Sequence, residues 1–233
     1  MTQFHPSNIC KNCTECDKRT PLFRRLTHKE LEILNENRYE VKFNSGEMIF
    51  KQGMPFNHLV SVTSGLVKLY VEGVRDKIII VELVKPWEVF GGPGIYVDNR
   101  YHYSATAVTD VTTCFIEAKN IKKVIRNNPD FAEDFIRSCS SRNAQMFERM
   151  VSLTQKQMHG RIADALIYLK HVFGNNRFEY NISKQDVADL SAMTKDSALR
   201  ILKEFQTDEI ISAQNGTFEI IDESRLFDIS HHG

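Results

Sequence analysis

A change of sequence texture at Pro129 divides the chain into two halves that follow different folding rules. Before it, from Tyr39 to about Ile116, short runs rich in Val, Ile, Tyr and Phe are broken by regularly spaced glycines. This pattern is typical of antiparallel strands joined by turns. After it, residues 131–154 contain neither Gly nor Pro, and their apolar residues recur at steps of three and four. That spacing indicates one long helix, so the chain is predicted to be α+β.

The N-terminal half is predicted to fold as an antiparallel β-barrel. A short helix is expected before the barrel, near 28–37, because Thr27 and Glu30 form a capping-box pattern. The barrel strands are predicted as two strand–turn–strand units and three further runs, at residues 43–50, 59–71, 77–83, 101–108 and 112–116.

The long helix after Pro129 has two possible interpretations. It is either a core helix packed on the barrel or a coiled-coil-like seam between two copies of the chain. Polar Arg142 and Asn143 interrupt its apolar band, and polar residues within such a seam often fix the register of the helices. We therefore favour a dimerisation helix. A second helix is predicted at 160–173.

Two short helices and a hairpin are predicted near the C-terminus. Ser183 is a good N-cap for a helix that ends near Leu190, and residues 191–194 form a tight break before a second helix at 195–205. This is the helix-turn-helix plan. Asn215-Gly216 lies between alternating apolar residues, which is a strong hairpin signal. A helix-turn-helix followed by a hairpin predicts a winged helix.

The second short helix carries the residues that we expect to read DNA bases: Lys195, Asp196 and Arg200. Asp196 and Arg200 lie one helical turn apart. In a major groove, Arg can bind guanine through two hydrogen bonds, and a carboxylate can accept a hydrogen bond from cytosine. The alternative is an ordinary surface ion pair, which contributes little.

The C-terminal part is not basic, because residues 160–233 contain 8 Lys and Arg against 12 Asp and Glu. Contacts with DNA phosphates are therefore expected mainly from hydroxyls, amides and helix N-termini. The residues expected to make them are Ser183, Gln185, Thr194 and Lys203.

Composition excludes several classes of protein. The chain has 233 residues, with 30 Lys and Arg balanced by 30 Asp and Glu. It lacks the run of about 20 apolar residues that spans a membrane and begins with a polar segment, so a cytoplasmic protein with no membrane partner is expected.

We see no catalytic Ser/His/Asp set or metalloprotease motif, and residues 91–94 lack the Lys of a phosphate-binding loop. A non-enzyme is therefore expected; a module that binds protein rather than DNA is the alternative of a different class.

Three of the five cysteines, Cys10, Cys13 and Cys16, lie in one short segment. Close spacing allows several thiolates to bind one soft metal centre. An odd number of cysteines argues against a disulfide framework. Structural zinc and unliganded or redox-active thiols are the alternatives. Cys139, on the long helix, is expected to be a small packed hydrophobe.

The order of these elements resembles the Crp/Fnr family of bacterial transcription regulators. The resemblance covers the chain from about Pro21 to Ile221 and is carried by the stretches 43–53, 128–130, 160–163 and 182–202. It implies a homodimer on double-stranded DNA, with two recognition helices that read a palindromic operator about one DNA turn apart. It also implies a jelly roll of the cyclic-nucleotide-binding kind, and RNA polymerase as a partner.

The resemblance divides the chain into four parts. They are a Cys-containing segment (1–20), an effector-sensing β-barrel (21–128), a dimerisation helix (129–158) and a winged-helix DNA-binding domain (159–233). In the family positions, Lys195, Asp196 and Arg200 would read bases, and Thr194 and Gln185 would contact phosphates.

The predicted effector pocket departs from the members that bind cyclic AMP. Those carry Gly-Glu and Arg-Ser pairs, whereas this chain has Gly91 and Gly92 in the first place and His102 and Tyr103 in the second. A buried phosphate without a cation costs several kcal/mol. The helix positions expected to meet adenine are apolar, Met146 and Phe147. We therefore predict that cyclic AMP is not the effector.

The redox branch of the family suggests a metal cofactor instead. That branch binds a [4Fe-4S] cluster through N-terminal cysteines and one distant cysteine, whose place Cys114 takes here. Cys13 and Cys16 have matching spacing, but the third N-terminal ligand would fall near Leu22, so Cys10 would have to substitute. Haem, with axial ligands from His58, His102 or the methionines, is the other cofactor considered. Either would make the protein a redox or gas sensor.

Overall fold

The computed structural model describes residues 12–16, 19–74, 77–179, 182–214 and 217–233. The chain forms two compact units. The first contains residues up to 68 and 84–141, and the second contains 69–83 and 142–233. No helix within the described ranges is long and apolar enough to cross a membrane.

The first helix, α1 (His28–Asn35), begins at the predicted capping box. The Thr27 amide donates to a Glu30 carboxylate oxygen at 2.8 Å, and the Glu30 amide donates to the Thr27 hydroxyl at 3.4 Å. Leu31 and Leu34 are buried. Local capping and apolar spacing therefore fix this helix.

The β-rich half forms two four-stranded antiparallel sheets, with strand orders β1-β8-β3-β6 and β2-β7-β4-β5. The predicted antiparallel β-fold is therefore confirmed, as two sheets that do not close into one barrel across the described strands. The predicted run at 101–108 is shorter, at Ser104–Ala107, and the two-residue strand Val89–Phe90 was not predicted. The strands are β1 (Tyr39–Phe43), β2 (Met48–Phe50), β3 (His58–Ser64), β4 (Val67–Glu72), β5 (Ile78–Val84), β6 (Val89–Phe90), β7 (Ser104–Ala107) and β8 (Val111–Glu117).

Two helices follow the sheets. Helix α2 (Ala118–Asn127) was not predicted, and α3 (Pro129–Gln155) is the long helix that was. The Asn128 side chain accepts a hydrogen bond from the Phe131 amide at 2.9 Å, which satisfies one free donor at the start of α3. Large apolar side chains remain exposed along α3: Ile136, Met146, Phe147, Met150 and Val151.

The second unit contains the predicted winged helix. Helices α5 (Lys184–Leu190) and α6 (Lys195–Thr207) follow α4 (Met158–Phe173), and α7 (Glu223–His232) ends the chain. Strands β10 (Ile211–Gln214) and β11 (Thr217–Ile220) form the expected hairpin, with β9 (Arg177–Glu179) beside β11. Five apolar residues of α5 and α6 are buried: Val187, Leu190, Ala198, Ile201 and Leu202.

Helix α7 and strand β9 were not predicted. Helix α7 packs tightly against the start of α4, where a Cβ added at Gly160 would lie 2.6 Å from the Gly233 carbonyl oxygen. Helix α4 also begins at Met158, two positions before the predicted start, because Gly160 is a close-packing position within the helix and not its boundary.

Candidate nucleic-acid interface and effector site

The helix-turn-helix is fixed by caps at both of its helices. The Ser183 hydroxyl accepts from the Asp186 amide at 3.0 Å, and the Asp186 carboxylate accepts from the Ser183 amide at 3.0 Å. Thr194 caps α6 by accepting from the Ser197 amide at 3.3 Å. Between the helices, Ala192 adopts a left-handed conformation with φ of +50°. Because this residue is alanine and not glycine, its left-handed conformation could not be predicted from the sequence.

Helix α6 presents one buried and one exposed face. Ala198, Ile201, Leu202 and Phe205 are buried. The predicted reading residues, Lys195, Asp196 and Arg200, are all exposed, as is Lys203. The amphipathic pattern therefore leaves a polar helix face open to a ligand.

Arg200 contacts a carboxylate that the sequence analysis did not single out. Its Nη1 lies 2.8 Å from Glu204 Oε1, one turn further along α6. Glu204 Oε2 in turn lies 2.7 Å from His159 Nε2, on α4. The hydrogen bond with His159 lowers the pKa of Glu204, so this carboxylate stays ionised. The four-residue spacing of Arg200 and Glu204, which places both on one helix face, is the sequence feature that could have predicted this ion pair.

The residues predicted to contact phosphates are all exposed, but the side chains of Ser183, Gln185 and Thr194 already have hydrogen-bond partners. Gln185 donates to Asp189 at 2.8 Å, and the Ser183 and Thr194 hydroxyls are engaged in caps. Lys203 lines an open groove of about 630 Å³ between α6 and the β10–β11 hairpin, together with Lys184.

In the first unit, the segment expected to bind an effector forms a short helical turn at Gly92–Ile95. Gly91 and Gly92 have φ values of +123° and +22°, which favour glycine. The Tyr103 hydroxyl accepts a hydrogen bond from the Gly91 amide at 2.7 Å. His102 lies 3.3 Å from Asp98. The Gly91 amide, at the start of this turn, therefore already has a hydrogen-bond acceptor within the chain.

Aromatic rings surround this turn. Phe50 stacks on Tyr101 with ring centroids 3.7 Å apart and lies 6.0 Å from the Tyr103 ring. The Tyr101 hydroxyl donates to the His58 carbonyl at 2.8 Å, and burial raises the pKa of Tyr101 to about 12. The Tyr101 phenol is therefore neutral. Met146 and Phe147 lie on the part of α3 that belongs to the second unit, where both are exposed.

Cys13, Cys16 and Cys114 are all buried. Arg38 Nη1 contacts the Cys114 sulfur at 2.9 Å, and the Asn35 side-chain oxygen accepts from the Cys13 amide at 3.1 Å. Burial raises the pKa of the Cys114 thiol to about 11, although the Arg38 charge opposes this shift.

The described residues contain no group of three or more His, Cys, Asp or Glu side chains able to hold a metal ion. Cys10, the fourth expected ligand, lies outside the described residues. Burial lowers the pKa of His58, so its imidazole is neutral and packs edge-on against the Phe115 ring. The expectation that Cys139 is packed was wrong, because it is exposed on α3.

Comparison with known proteins gives the identity of both parts. Residues 40–128 match the family model described as "Cyclic nucleotide-binding domain", and residues 160–229 match the one described as "Crp-like helix-turn-helix domain". The chain belongs to the Crp/Fnr family of transcription regulators. Helix α6 lies within the helix-turn-helix match, and the Gly91–Tyr103 region lies within the cyclic nucleotide-binding match.

Other Crp/Fnr proteins are similar along most of this chain. The transcriptional activator protein Anr of Pseudomonas aeruginosa is 24% identical, covering 95% of this chain and 92% of its own length. The "CRP-like cAMP-activated global transcriptional regulator" of Mycobacterium tuberculosis is 22% identical, covering 89% and 95%. The solved structure of FixK2 from Bradyrhizobium japonicum has the same fold, with a TM-score of 0.75 at 17% identity, covering 82% and 96%.

Proposed function

We propose that this Crp/Fnr regulator acts as a homodimer that reads a palindromic operator under control of an effector other than cyclic AMP. The observation that carries the proposal is the exposed face of α6, with Lys195, Asp196 and Arg200 together on a helix whose other face is buried. Arg and carboxylate side chains are suited to reading guanine and cytosine in a major groove. Ser183, Gln185, Thr194 and Lys203 are proposed to contact phosphates.

The apolar stripe on α3 supports a homodimer. Its members, from Ile136 to Val151, are exposed in the single chain, and an exposed apolar stripe at helical spacing marks an association surface. A second copy of the same helix is the occupant that this pattern fits. We also propose RNA polymerase as a partner of the DNA-bound dimer, which would act in the cytoplasm.

Selection from random duplex DNA tests this function. Purified full-length protein should enrich an inverted repeat, and a mobility-shift assay should show that one half-site alone binds much more weakly. Enrichment of no sequence would contradict the proposal and favour the alternative, a module that binds protein. Enrichment of a single, non-repeated site would contradict the dimer.

The contact between Tyr103 and Gly91 supports an effector other than cyclic AMP. An amide at this turn would have to release the tyrosine before it could bind a phosphate, and the Phe56 ring also lies against Gly91. Burying a phosphodiester there without a cation would cost several kcal/mol. Calorimetric titration with cyclic AMP is expected to give no heat of binding, and micromolar binding would contradict this.

The buried thiols favour a second proposal, a redox sensor within the same family. Arg38 contacts Cys114, and its charge opposes the rise in the pKa of this thiol that burial causes, which favours the thiolate form when a metal ion replaces the proton. The described thiols do not by themselves form a metal site, so a [4Fe-4S] cluster would depend on Cys10. Anaerobic reconstitution with iron and sulfide tests it: fewer than about one iron per chain would exclude a cluster. Haem, the other proposed cofactor, would show a Soret band after reconstitution.

A further inference from the structure

The guanidinium of Arg149 bridges two segments of the second unit that are far apart in sequence. Its Nη2 donates to the carbonyl oxygen of Ile80 at 2.7 Å and to that of Leu190 at 3.0 Å. The guanidinium carbon lies 5.6 Å from the centre of the Tyr168 ring. Hydrogen bonds from a charged donor are stronger than neutral ones, and more so where water is excluded.

The carbonyl groups of Ile80 and Leu190 belong to elements with different roles. Ile80 lies on β5, the last strand in the order β2-β7-β4-β5, within the match to the cyclic nucleotide-binding domain. Leu190 is the last residue of α5, directly before the turn that leads into α6. A helix C-terminus carries partial negative charge and free carbonyls. A cation there therefore stabilises α5 while holding β5.

Two further contacts join β5 to the same part of the unit. The Tyr168 hydroxyl, on α4, accepts a hydrogen bond from the Leu83 amide at 2.7 Å. Arg142, on α3, forms an ion pair with Glu82 at 3.1 Å. The compact second unit accordingly contains residues 69–83 together with 142–233. The hairpin of β4 and β5 is thus tied to α3, α4 and α5 by side chains from three positions.

We propose that Arg149 is a positioning residue for DNA reading, which holds the end of α5 on the β4–β5 hairpin. A displacement of β5 that moves the Ile80 carbonyl is transmitted by the guanidinium to Leu190. From there the turn 191–194, with its left-handed Ala192, passes the displacement to α6. This inference rests on the proposed function.

Replacing Arg149 with Met tests the bridge, because Met keeps an apolar stem and removes both hydrogen bonds. The variant is expected to bind the selected operator about tenfold more weakly, since a less fixed α6 must be ordered on binding. Its affinity for random DNA should stay within about threefold, because phosphate contacts remain. Hydrogen exchange should become faster at the amides of both 187–193 and Leu83. Arg137→Met, on the same helix but paired with Glu133, is the matched control and should change none of these.

A second variant keeps the test decisive if Arg149→Met does not fold. Tyr168→Phe removes the acceptor of the Leu83 amide but leaves both bonds of Arg149, so exchange should accelerate at Leu83 and operator affinity should fall by about threefold. Operator binding and exchange at 187–193 that match the unmodified protein in the folded variants would overturn the proposal. Equal losses on operator and random DNA would also overturn it. If the unmodified protein selects no operator, the proposed function fails, whereas the exchange experiment still tests the bridge.

Discussion

At the scale of single residues, Arg200 is the side chain on which operator reading is expected to depend most. Arg200→Ala should cost about 1–3 kcal/mol of specific binding and relax the preference at one operator position. Fluorescence anisotropy with the selected operator and its single-base variants measures both effects. The ion pair with Glu204 must open before Arg200 can bind a base, and because this pair is exposed, opening it costs little.

Lys203→Ala is the matched control for Arg200. A lysine that contacts only phosphate should weaken binding to all sequences alike and reduce the salt slope by about one. If Arg200→Ala behaves in the same way, with operator and random duplex losing affinity equally, Arg200 does not read a base.

Reactivity with iodoacetamide is expected to separate Cys114 from Cys139. The thiolate is the reactive form, and the pKa of Cys114 is raised to about 11 by burial, so its thiol stays protonated at about pH 8. Cys139 is exposed and should be alkylated first. Mass spectrometry of chelator-treated, reduced protein measures the order.

The same pKa shift predicts how stability depends on pH. A thiol whose pKa is higher in the folded state stabilises the fold fully below its unfolded pKa, near 8.5, and this contribution is lost as pH rises towards 11. In Cys114→Ser this alkaline decline in the free energy of unfolding should be smaller. In the iodoacetamide experiment described above, equal alkylation rates for Cys114 and Cys139 would contradict the buried position of Cys114.

At the scale of elements, the sequence predicted best what is decided locally. The caps at Thr27 and Ser183 and the apolar spacing of α3 are local signals, and each of the three helices that they predict is present. Helix α7 and strand β9 exist because of partners distant in sequence, such as the contact between Gly160 and Gly233. Periodicity does not show such partners.

The same distinction between local features and tertiary contacts applies to the candidate site. The exposed face of α6 follows from helical spacing and was predicted. The pairing of Arg200 with Glu204 and His159, the contact of Tyr103 with Gly91, and the bridge made by Arg149 depend on tertiary packing.

The apolar stripe of α3 makes a prediction about this element. Phe147 is 67% exposed in the single chain, so Phe147→Glu should leave the fold intact and weaken self-association by at least about tenfold, because a dimer would bury the new charge. Sedimentation velocity over a range of concentrations measures the change. Val97→Glu, at a position 73% exposed outside α3, is the control and should not alter association. Unchanged association of Phe147→Glu would place the interface elsewhere.

At the scale of the whole molecule, the charge distribution indicates that specific DNA binding depends on the arrangement of the operator half-sites. The chain is neutral overall, and residues 160–233 carry an excess of acidic residues. Most non-specific affinity for DNA comes from neutralising phosphates with Lys and Arg, so this protein should bind random DNA weakly. In the proposed dimer, simultaneous binding of two half-sites would then supply much of the specific affinity.

The spacing of the operator half-sites tests this dependence directly. In the proposed dimer, two recognition helices related by a two-fold axis would reach major grooves about one turn apart on the same face of the duplex. Inserting roughly five base pairs, about half a turn, moves one half-site to the opposite face, so affinity should fall to that of a single half-site. A duplex with five base pairs added outside the repeat is the control and should bind as tightly as the original. A protein that binds as a monomer would bind both duplexes equally, which would contradict the dimeric mode of reading.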